Sequence, residues 1–586
     1  PLRLLPGHYD TLYSNGLPAL YCGLAVLALA ICFFVLERSR RRKLCGGGIL
    51  LLLLLCFSLR PLYRVWHGFR DPVAYPGRFA FLWGFFLCVL AAEGARLLAE
   101  KVLEKKSKAM KRKVIPGWVL LVCVLCLLLW TCCELCLNGT AQVKGMQKEL
   151  SETTLDQYRY FLDITRPELE EIAAMATVAG ETGAATSPAP GFYRVEKDYQ
   201  MCTNDGQLLG MHGLSFFSST YYQDFLDLLK GLGLLQYHYK SYEIGYTQLT
   251  DSLFGIRYKL HHSTFPEGYR QLGASSFVKL CENPMALPLG YLVEEERSRD
   301  AYAVSDGTAP GRSTEGRTAE EDSLDFTHNP FRNQELLLSA MTGQAEEVYR
   351  EIPFEDQVSY VHDLPMRGFD YSGALREITF RADSEDPVYL NFDLLKESDL
   401  TFEEKDASPE INIFINGALY YTFVGFQRAY NMYLGSFAEG ESVTITILGA
   451  KEVRAAHLVS QDTDALAEAL GRLTDGAMTG ISVDHGRITG SVQAKQESLC
   501  LITVPYDDGF TAYVDGERTE TVRYAGALLA VPVPEGEHEI LLSYRSPGIR
   551  GGLTIGGLSL LTLLGVTILE RKRKDLLLKE TKMSFQ

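Results

Sequence analysis

Long apolar runs separated by short basic segments constrain this chain more than any other feature of its sequence. A bilayer core of roughly 30 Å requires about 20 apolar residues in a helix, and five runs approach or reach that length. They lie at about 17–36, 44–59, 79–98, 114–137 and 548–569. The sequence therefore predicts an integral membrane protein with one large polar segment, 138–547, on one side of the bilayer.

The basic segments predict which side this is. Lysines and arginines are concentrated in 37–43, in 100–113 and in the tail 570–586. Short loops rich in these residues stay in the cytoplasm. We therefore expect these segments inside the cell, with the loop 60–78 and the large segment 138–547 outside.

The net charge of the whole chain is −16, although its predicted cytoplasmic segments are basic. The large segment is therefore strongly acidic, which argues against a nucleic-acid partner because such binding requires clustered positive charge. An acidic surface serves mainly for solvation, and cation binding is the alternative. Ten of the thirteen cysteines lie at or before Cys136, so we expect no disulfide framework in the large segment.

Composition divides the chain further. Alternation of apolar and polar residues with period two predicts strands at about 350–450 and 480–546. Residues 138–190 are helical in pattern, with a second helix expected to start at Pro167. The fold class that we expect is a set of membrane α-helical spans plus a large α+β or β-sandwich extracytoplasmic domain. Its parts are, in order, a transmembrane region of four helices (1–137), a helical linker (138–190), an α/β region (191–345), a β-sandwich module (346–455), a helix with a second β-sandwich module (456–547), a last transmembrane helix (548–569) and a basic cytoplasmic tail (570–586).

Three short signals refine the last third of the chain. The pairs Asn416-Gly417 and Asp515-Gly516 each separate two alternating stretches, and such pairs favour two-residue hairpin turns. Asp462 precedes a helical pattern near Asp464–Leu473, where an N-cap is needed. The triplet Asp462-Thr463-Asp464 also resembles the Asp-x-Asp that holds a metal and a sugar nucleotide in some transferases, but helix capping is the interpretation that we prefer.

An ordered set of motifs resembles the YfhO family of bacterial membrane proteins. Each motif alone is weak, but together they cover nearly the whole chain in the expected order. The motifs are Trp66-His67-Gly68-Phe69, Arg78-Phe79, Phe192-Tyr193-Arg194-Val195, Asn204-Asp205, Gly213-Leu214-Ser215-Phe216-Phe217-Ser218-Ser219, Leu253-Phe254-Gly255-Ile256-Arg257-Tyr258, Glu282-Asn283-Pro284, Ala286-Leu287-Pro288-Leu289-Gly290, Asn329-Pro330-Phe331, Pro505-Tyr506-Asp507-Asp508-Gly509-Phe510 and Val514-Asp515-Gly516.

This resemblance implies a multi-pass protein of the bacterial cell membrane that resembles GT-C-like glycosyltransferases, here a hexosyltransferase. Such a protein would transfer a sugar from a polyprenyl-phosphate donor to an extracellular wall polymer such as lipoteichoic acid. Its acidic catalytic residue is expected in the first external loop. Since the chain begins at Pro1 and reads as the C-terminal part of a longer protein, we expect that loop to be missing and leave the catalytic residue unassigned. The alternative is a non-catalytic carbohydrate-binding, scaffold or export protein of the cell envelope.

The loop 60–78 contains the candidate residues for the donor lipid phosphate. They are Arg64, Trp66, His67, Arg70 and Arg78. Arginine forms bidentate contacts with phosphate, and tryptophan favours the membrane interface. The alternative for this loop is an ordinary interfacial belt that contacts lipid headgroups.

The candidate acceptor groove consists of Asn204, Asp205, His212 and Ser215, which form the densest polar set within the family-like motifs. The alternative is that Asn204-Asp205-Gly206 is only a turn. The expected partners are membrane lipid, the polyprenyl-phosphate-linked sugar and the wall polymer. The sequence contains no zinc-protease motif, nucleophile elbow or phosphate-binding glycine loop, so no cofactor and no metal site are assigned, and a divalent metal stays open.

Overall fold

The computed structural model contains two compact units, Pro1–Leu155 and Asp156–Gln586. The residues that the structure describes are 20–69, 77–108, 117–149, 154–182, 192–202, 204–218, 220–237, 240–261, 268–274, 278–294, 326–366, 369–392, 411–423, 430–448 and 456–583. Their helices are α1 (Leu24–Leu36), α2 (Arg40–Ser58), α3 (Arg60–Trp66), α4 (Ala80–Lys108), α5 (Gly117–Glu149), α6 (Leu155–Thr182), α7 (Asp205–Leu209), α8 (Gln223–Gly231), α9 (Gln248–Leu253), α10 (Pro330–Thr342), α11 (Thr463–Thr474) and α12 (Ile549–Met583).

The strands lie in the second unit. They are β1 (Arg194–Lys197), β2 (Phe216–Phe217), β3 (Gln236–Tyr237), β4 (Lys240–Ser241), β5 (Ile256–His261), β6 (Arg270–Ala274), β7 (Lys279–Glu282), β8 (Gly290–Val293), β9 (Tyr349–Glu351), β10 (Phe354–Met366), β11 (Phe369–Arg381), β12 (Val388–Phe392), β13 (Ile411–Ile415), β14 (Ala418–Phe423), β15 (Asn431–Gly435), β16 (Ser442–Leu448), β17 (Ala456–Gln461), β18 (Thr479–Asp484), β19 (Arg487–Ala494), β20 (Ser498–Pro505), β21 (Phe510–Val514), β22 (Glu517–Thr519), β23 (Val522–Tyr524), β24 (Leu528–Val533) and β25 (Gly536–Tyr544).

Two of the described helices contain stretches that are long and apolar enough to cross a bilayer, Ala80–Lys101 in α4 and Ile549–Arg573 in α12. The pair α2 and α3 passes the same test when taken together, with a bend of 97° between the two helices. The apolar helix α1 has only 13 residues. The candidate spans therefore overlap the predicted runs at 79–98 and 548–569, and α2 covers residues 44–58 of the run at 44–59. The complete set of five spans stays a prediction.

Helix α6 and a four-stranded sheet form the first part of the second unit. The sheet has the order β1-β5-β7-β6, with β1 parallel to β5 and the other neighbours antiparallel. Ile172 of α6 is buried against Val195 and Leu260 of this sheet. The prediction that Pro167 starts a new helix is wrong, because Pro167 lies inside α6. A proline removes one helical hydrogen bond, and packing of the same helix face before and after it outweighs that loss here.

The first β-sandwich consists of two sheets with the orders β10-β11-β16-β13-β14 and β15-β12-β17-β9. Their facing side chains form one core, which includes Ile378, Ile445, Val388 and Leu458. Strand β16 shows the expected alternation, since Val443, Ile445 and Ile447 are fully buried.

The second β-sandwich has sheets with the orders β18-β19-β25-β21-β22 and β23-β24-β20-β8. Strand β8 comes from far upstream in the chain and pairs with β20. One face of β20, with Cys500 and Ile502, packs against the other sheet. Its opposite face, with Leu499 and Leu501, packs against a layer that includes α8, α9, α10 and α11. Because both faces are covered, β20 is apolar along most of its length and shows no alternation.

Candidate functional site

The donor-side residues lie around the corner between α2 and α3. Arg64 and Trp66 are on α3, His67 follows this helix, and Arg78 lies in the turn before α4. The Trp66 ring stacks on Phe79 with a centroid distance of 5.2 Å. The structure therefore brings the end of α3 into contact with Phe79, the residue that follows Arg78. Arg70, the fifth candidate, lies outside the described residues.

Histidine 67 belongs to the same aromatic group. Its ring lies 4.7 Å from Tyr63 and 6.1 Å from Phe79, measured between centroids. Its Nε2 atom is buried and has no hydrogen-bond partner among the described residues. Trp66 is 46% exposed, and its ring and the imidazole of His67 both contact Phe79 at the C-terminal end of α3. A phosphate oxygen near this corner would satisfy that nitrogen.

Asp205, a candidate for the acceptor groove, uses both of its carboxylate oxygens in contacts within the protein. One of its oxygens, Oδ2, lies 2.7 Å from the Lys197 ammonium and accepts the Met201 N–H at 2.8 Å. The other, Oδ1, accepts the Cys202 N–H at 2.8 Å. Burial alone would raise the pKa of Asp205, but the Lys197 ammonium and the donated hydrogen bonds lower it overall. These contacts give Asp205 a structural role at the start of α7.

Asn204 and Ser215 are also engaged by the protein. The Asn204 side chain accepts the Phe217 N–H at 2.7 Å and donates to the Phe217 carbonyl at 3.1 Å. The Ser215 hydroxyl donates to Glu196 at 2.8 Å, and its N–H donates to the same carboxylate at 2.9 Å. Burial raises the pKa of Glu196, and these hydrogen bonds oppose that effect. A groove in which Asn204, Asp205 and Ser215 contact an acceptor stays a prediction.

His212, unlike these three residues, lines a cleft of about 610 Å³. Its ring lies 4.7 Å from the ring of Phe192, and its carbonyl accepts the Val195 N–H at 2.8 Å, which anchors the loop to β1. Partial burial and the nearby Arg194 guanidinium lower the pKa of His212. The imidazole is therefore mainly neutral near pH 7 and can both donate and accept a hydrogen bond.

Three elements that are distant in sequence form the walls of this cleft, which we call the aromatic cleft. Leu169 and Ile172 come from α6, Phe192 and Tyr193 precede β1, and Ile481–Val483 come from β18. Burial raises the pKa of Tyr193, so that its hydroxyl stays protonated as a hydrogen-bond donor. Ring faces beside a neutral imidazole and a hydroxyl suit a ligand that has both apolar and hydroxyl surfaces, as sugars do. Phe192 and Tyr193 belong to a sequence motif, but the sequence does not predict the cleft, because β18 is nearly 300 residues further on.

Comparison with known families decides the identity at the family level. The model of the bacterial membrane protein YfhO matches residues 2–131 and 114–556. The chain belongs to the YfhO family. Among curated proteins, no relative matches this YfhO-family chain.

Solved structures give only distant likenesses to the YfhO-family chain. It is similar to a GH2 β-galacturonidase from Eisenbergiella tayi at 7% identity and a TM-score of 0.13, over 34% of this chain and 38% of that one. It is also similar to the arabinofuranosyltransferase AftD from Mycobacteria at 14% identity and a TM-score of 0.13, over 35% of this chain and 17% of that one. The chain thus spans little more than a third of the first structure. Scores this low do not establish a shared fold.

Glu134 is a buried carboxylate in the first unit that the sequence analysis passed over. It lies on α5 within the apolar run 114–137, is only 5% exposed, and accepts the backbone N–H of Leu24 at 2.5 Å. Leu24 is the first residue of α1, whose Gly23 N-cap has no side chain to satisfy the terminal N–H groups. A carboxylate in an apolar run is costly and signals a specific partner. Here that partner is the start of a neighbouring helix.

The described residues contain no group of three or more His, Cys, Asp or Glu side chains that would hold a metal ion. Cys202 is exposed, Cys281 and Cys500 are buried, and all three are thiols.

Asp462 accepts the Ala465 N–H at 2.9 Å as the N-cap of α11, which confirms the capping interpretation of Asp462-Thr463-Asp464.

Proposed function

We propose that this YfhO-family protein is a glycosyltransferase of the bacterial cell membrane. In this proposal it transfers a sugar from a polyprenyl-phosphate donor to an extracellular wall polymer such as lipoteichoic acid. The observation that carries the proposal is the aromatic cleft, because Phe192, Tyr193 and His212 combine ring faces with hydrogen-bonding groups. The cleft belongs to a large β-rich unit in a chain with candidate membrane spans.

The corner between α2 and α3 supports the donor half of the proposal. A bend of 97° after an apolar helix would place α3 along the membrane surface if α2 crosses the bilayer. The phosphate of a lipid-linked sugar lies at that level. Trp66, the unsatisfied His67 Nε2 and the arginines Arg64 and Arg78 supply ring, imidazole and guanidinium groups suited to it, and the contribution of Arg70 stays a prediction from the sequence.

The orientation of the large unit is part of the same proposal. The segments 37–43, 100–113 and 570–586 are basic, which favours a cytoplasmic location for them. The β-rich unit would then face the outside of the cell, where wall polymers are found. A tag inserted in the exposed turn at Asn416-Gly417 tests this, since a membrane-impermeant reagent should label it in intact cells.

The decisive experiment measures the sugars on the wall polymer. A deletion strain should lose one sugar modification, and wild-type protein should restore it. Variants W66A/H67A and F192A/H212A should restore it poorly, whereas the matched controls W118A and Y360A, which remove other exposed aromatic rings, should restore it fully. An unchanged modification in the deletion strain would overturn the proposal.

A second candidate function is carbohydrate binding without catalysis, in a scaffold or export protein of the cell envelope. One observation favours it: the described residues that line the aromatic cleft include an imidazole and hydroxyl groups but no carboxylate. The acidic catalytic residue that the family resemblance implies is therefore not among them. If the purified protein binds polymer fragments while the deletion strain keeps its modification, this second function is the correct one.

A further inference from the structure

A second cleft lies where the second β-sandwich continues into α12. Its volume is about 500 Å³, and three arginines line it: Arg518 from β22, Arg545 after β25 and Arg550 in the first turn of α12. Among the described residues, Asp508 is the one acidic residue that lines it, so the charges of these lining side chains sum to a positive value. We call this feature the arginine cleft.

The three guanidinium groups of the arginine cleft are exposed. None of them forms an ion pair or side-chain hydrogen bond with any residue in the described part of the chain. Some other arginines of the second unit are paired, such as Arg257 with Glu282 at 3.0 Å and Arg472 with Glu346 at 2.6 Å. An acidic chain offers many partners for arginine, so three unpaired arginines around one cleft are available for an anion from outside the protein.

The position of the arginine cleft along the chain indicates which anion it binds. The candidate membrane span of α12 begins at Ile549, between Arg545 and Arg550. The start of an apolar span lies at the boundary between the hydrocarbon core and the headgroup layer. Phosphate groups of anionic lipids lie in that layer and attract nearby arginines. The start of α12 adds the positive end of a helix dipole, and Ser543 and Thr511 add hydroxyl donors.

We propose that the arginine cleft binds the phosphate of an anionic phospholipid headgroup and so holds the second β-sandwich against the membrane surface. This site is separate from the predicted donor residues at 60–78, and the proposal does not depend on sugar transfer. Arginine is suited to this role because its planar guanidinium group contacts two phosphate oxygens at once.

Photo-crosslinking of the full chain tests the proposal at the site itself. Tyr513, which lines the cleft, is replaced by photoreactive p-benzoylphenylalanine, with Thr511 as the alternative position if that variant does not fold. The protein is reconstituted in vesicles of phosphatidylcholine with or without phosphatidylglycerol. We expect the crosslinked peptide to carry phosphatidylglycerol in preference to phosphatidylcholine, and the preference to decrease as salt is added.

Variants of the three arginines measure how much each contributes to the preference for phosphatidylglycerol. Each of R518Q, R545Q and R550Q should weaken the preference for phosphatidylglycerol about fivefold, and the triple variant about a hundredfold, since each basic residue near an anionic surface contributes roughly equally. The matched control R381Q changes an exposed arginine on the first β-sandwich that does not line the cleft. Thermal unfolding should be unchanged in the three single variants, the triple variant and R381Q, because these arginines have no side-chain partner among the described residues.

Three outcomes would overturn the proposal. Equal crosslinking to both lipids would show that the cleft does not recognise negative charge. A triple variant that keeps its preference would show that the arginines are not responsible. Loss of the crosslink on addition of inorganic phosphate at a concentration below that of the lipid would identify a site for free phosphate rather than for a headgroup. None of these results depends on whether the protein transfers sugar.

Discussion

Two groups of charged side chains in the second unit differ in their burial and in the partners that they contact. In the first, the buried charge cluster, the Lys259 ammonium lies 2.5 Å from Glu243 and 2.7 Å from Asp251, and all three side chains are at most 7% exposed. In the second, the arginine cleft, three guanidinium groups are exposed and have no partner among the described residues. The members of the first group contact one another within the fold, and those of the second are available to bind.

Burial explains the difference. Desolvation raises the pKa of Glu243 to about 7 even beside Lys259, so the ion pair only offsets the cost of burying its members. These charges are buried and contact one another within the fold. The same reasoning separates Asp205, which is paired with Lys197, from His212, which lines the aromatic cleft. Polar residues within a motif are therefore weak evidence for a site until their partners are known.

The largest effect is expected from breaking the buried charge cluster. Lys259→Met leaves Glu243 and Asp251 buried without a cation, and should lower the free energy of unfolding by about 3–5 kcal/mol. Thermal unfolding followed by circular dichroism measures it. The triple variant K259M/E243Q/D251N should regain part of the loss, because these three positions then carry no charge. A K259M variant as stable as R381Q would show that the cluster contributes nothing.

Arg194 gives the next largest effect. Its guanidinium donates to the Phe254 carbonyl at 2.5 Å, to the Thr503 hydroxyl at 2.7 Å and to the Thr503 carbonyl at 2.6 Å, and so joins β1 to β20. Arg194→Met leaves two buried carbonyls unsatisfied and should cost roughly 2–3 kcal/mol in the free energy of unfolding.

Chemical denaturation of the Arg194 variants provides the measurement. Arg194→Lys retains one donor and should fall between wild type and R194M. If R194M had the same free energy of unfolding as wild type, the hydrogen bonds of Arg194 would not be needed to join the α/β region to the second β-sandwich.

A smaller effect on binding is expected in the aromatic cleft. Phe192→Ala removes one ring face beside His212 and should weaken binding of wall-polymer fragments roughly two- to tenfold, since aromatic contacts contribute about 0.5–1.5 kcal/mol. Isothermal titration with lipoteichoic acid fragments measures this change. The control Y360A removes a ring that is 74% exposed and lies on β10, outside this cleft. If F192A and Y360A bound these fragments with equal affinity, the aromatic cleft would not be their binding site.

The smallest effect concerns pH and the exposed pair His538 and Asp515. The Asp515 carboxylate accepts a hydrogen bond from His538 Nδ1 at 2.7 Å and raises the pKa of His538, which favours the charged form in the folded state. This stabilisation is complete below the ordinary histidine pKa of about 6.5 and is lost as pH rises through the folded value. His538→Gln should therefore lower the unfolding temperature slightly at pH 5.5 and leave it unchanged at pH 9. A shift of equal size at both pH values would contradict this assignment.

Local chemistry allowed a good part of the fold to be predicted. Asn416-Gly417 and Asp515-Gly516 form the expected hairpin turns, with φ of 48° and 78° in the first and 51° and 82° in the second. Both residues of such a turn require positive φ, which asparagine, aspartate and glycine tolerate best. Asp462 caps α11, and the alternation in β16 gives its buried face, because capping and strand periodicity depend on neighbours within a few residues.

The candidate site was predicted less well, for a physical reason. Motif spacing drew attention to Asn204, Asp205, His212 and Ser215 together, but only tertiary contacts show that Lys197, Phe217 and Glu196 engage three of them. The aromatic cleft depends on β18, and the arginine cleft depends on β22 meeting the start of α12. Pairing between distant segments leaves little trace in local sequence.

The sequence by itself determined that this is a membrane protein of the YfhO family with a large acidic, β-rich segment, because apolar length, charge and ordered motifs are properties of the chain alone. The tertiary structure decided which charged groups are used within the fold and which remain exposed for ligands. That distinction depends on desolvation and on partners brought from elsewhere in the chain, as the insertion of β8 beside β20 illustrates.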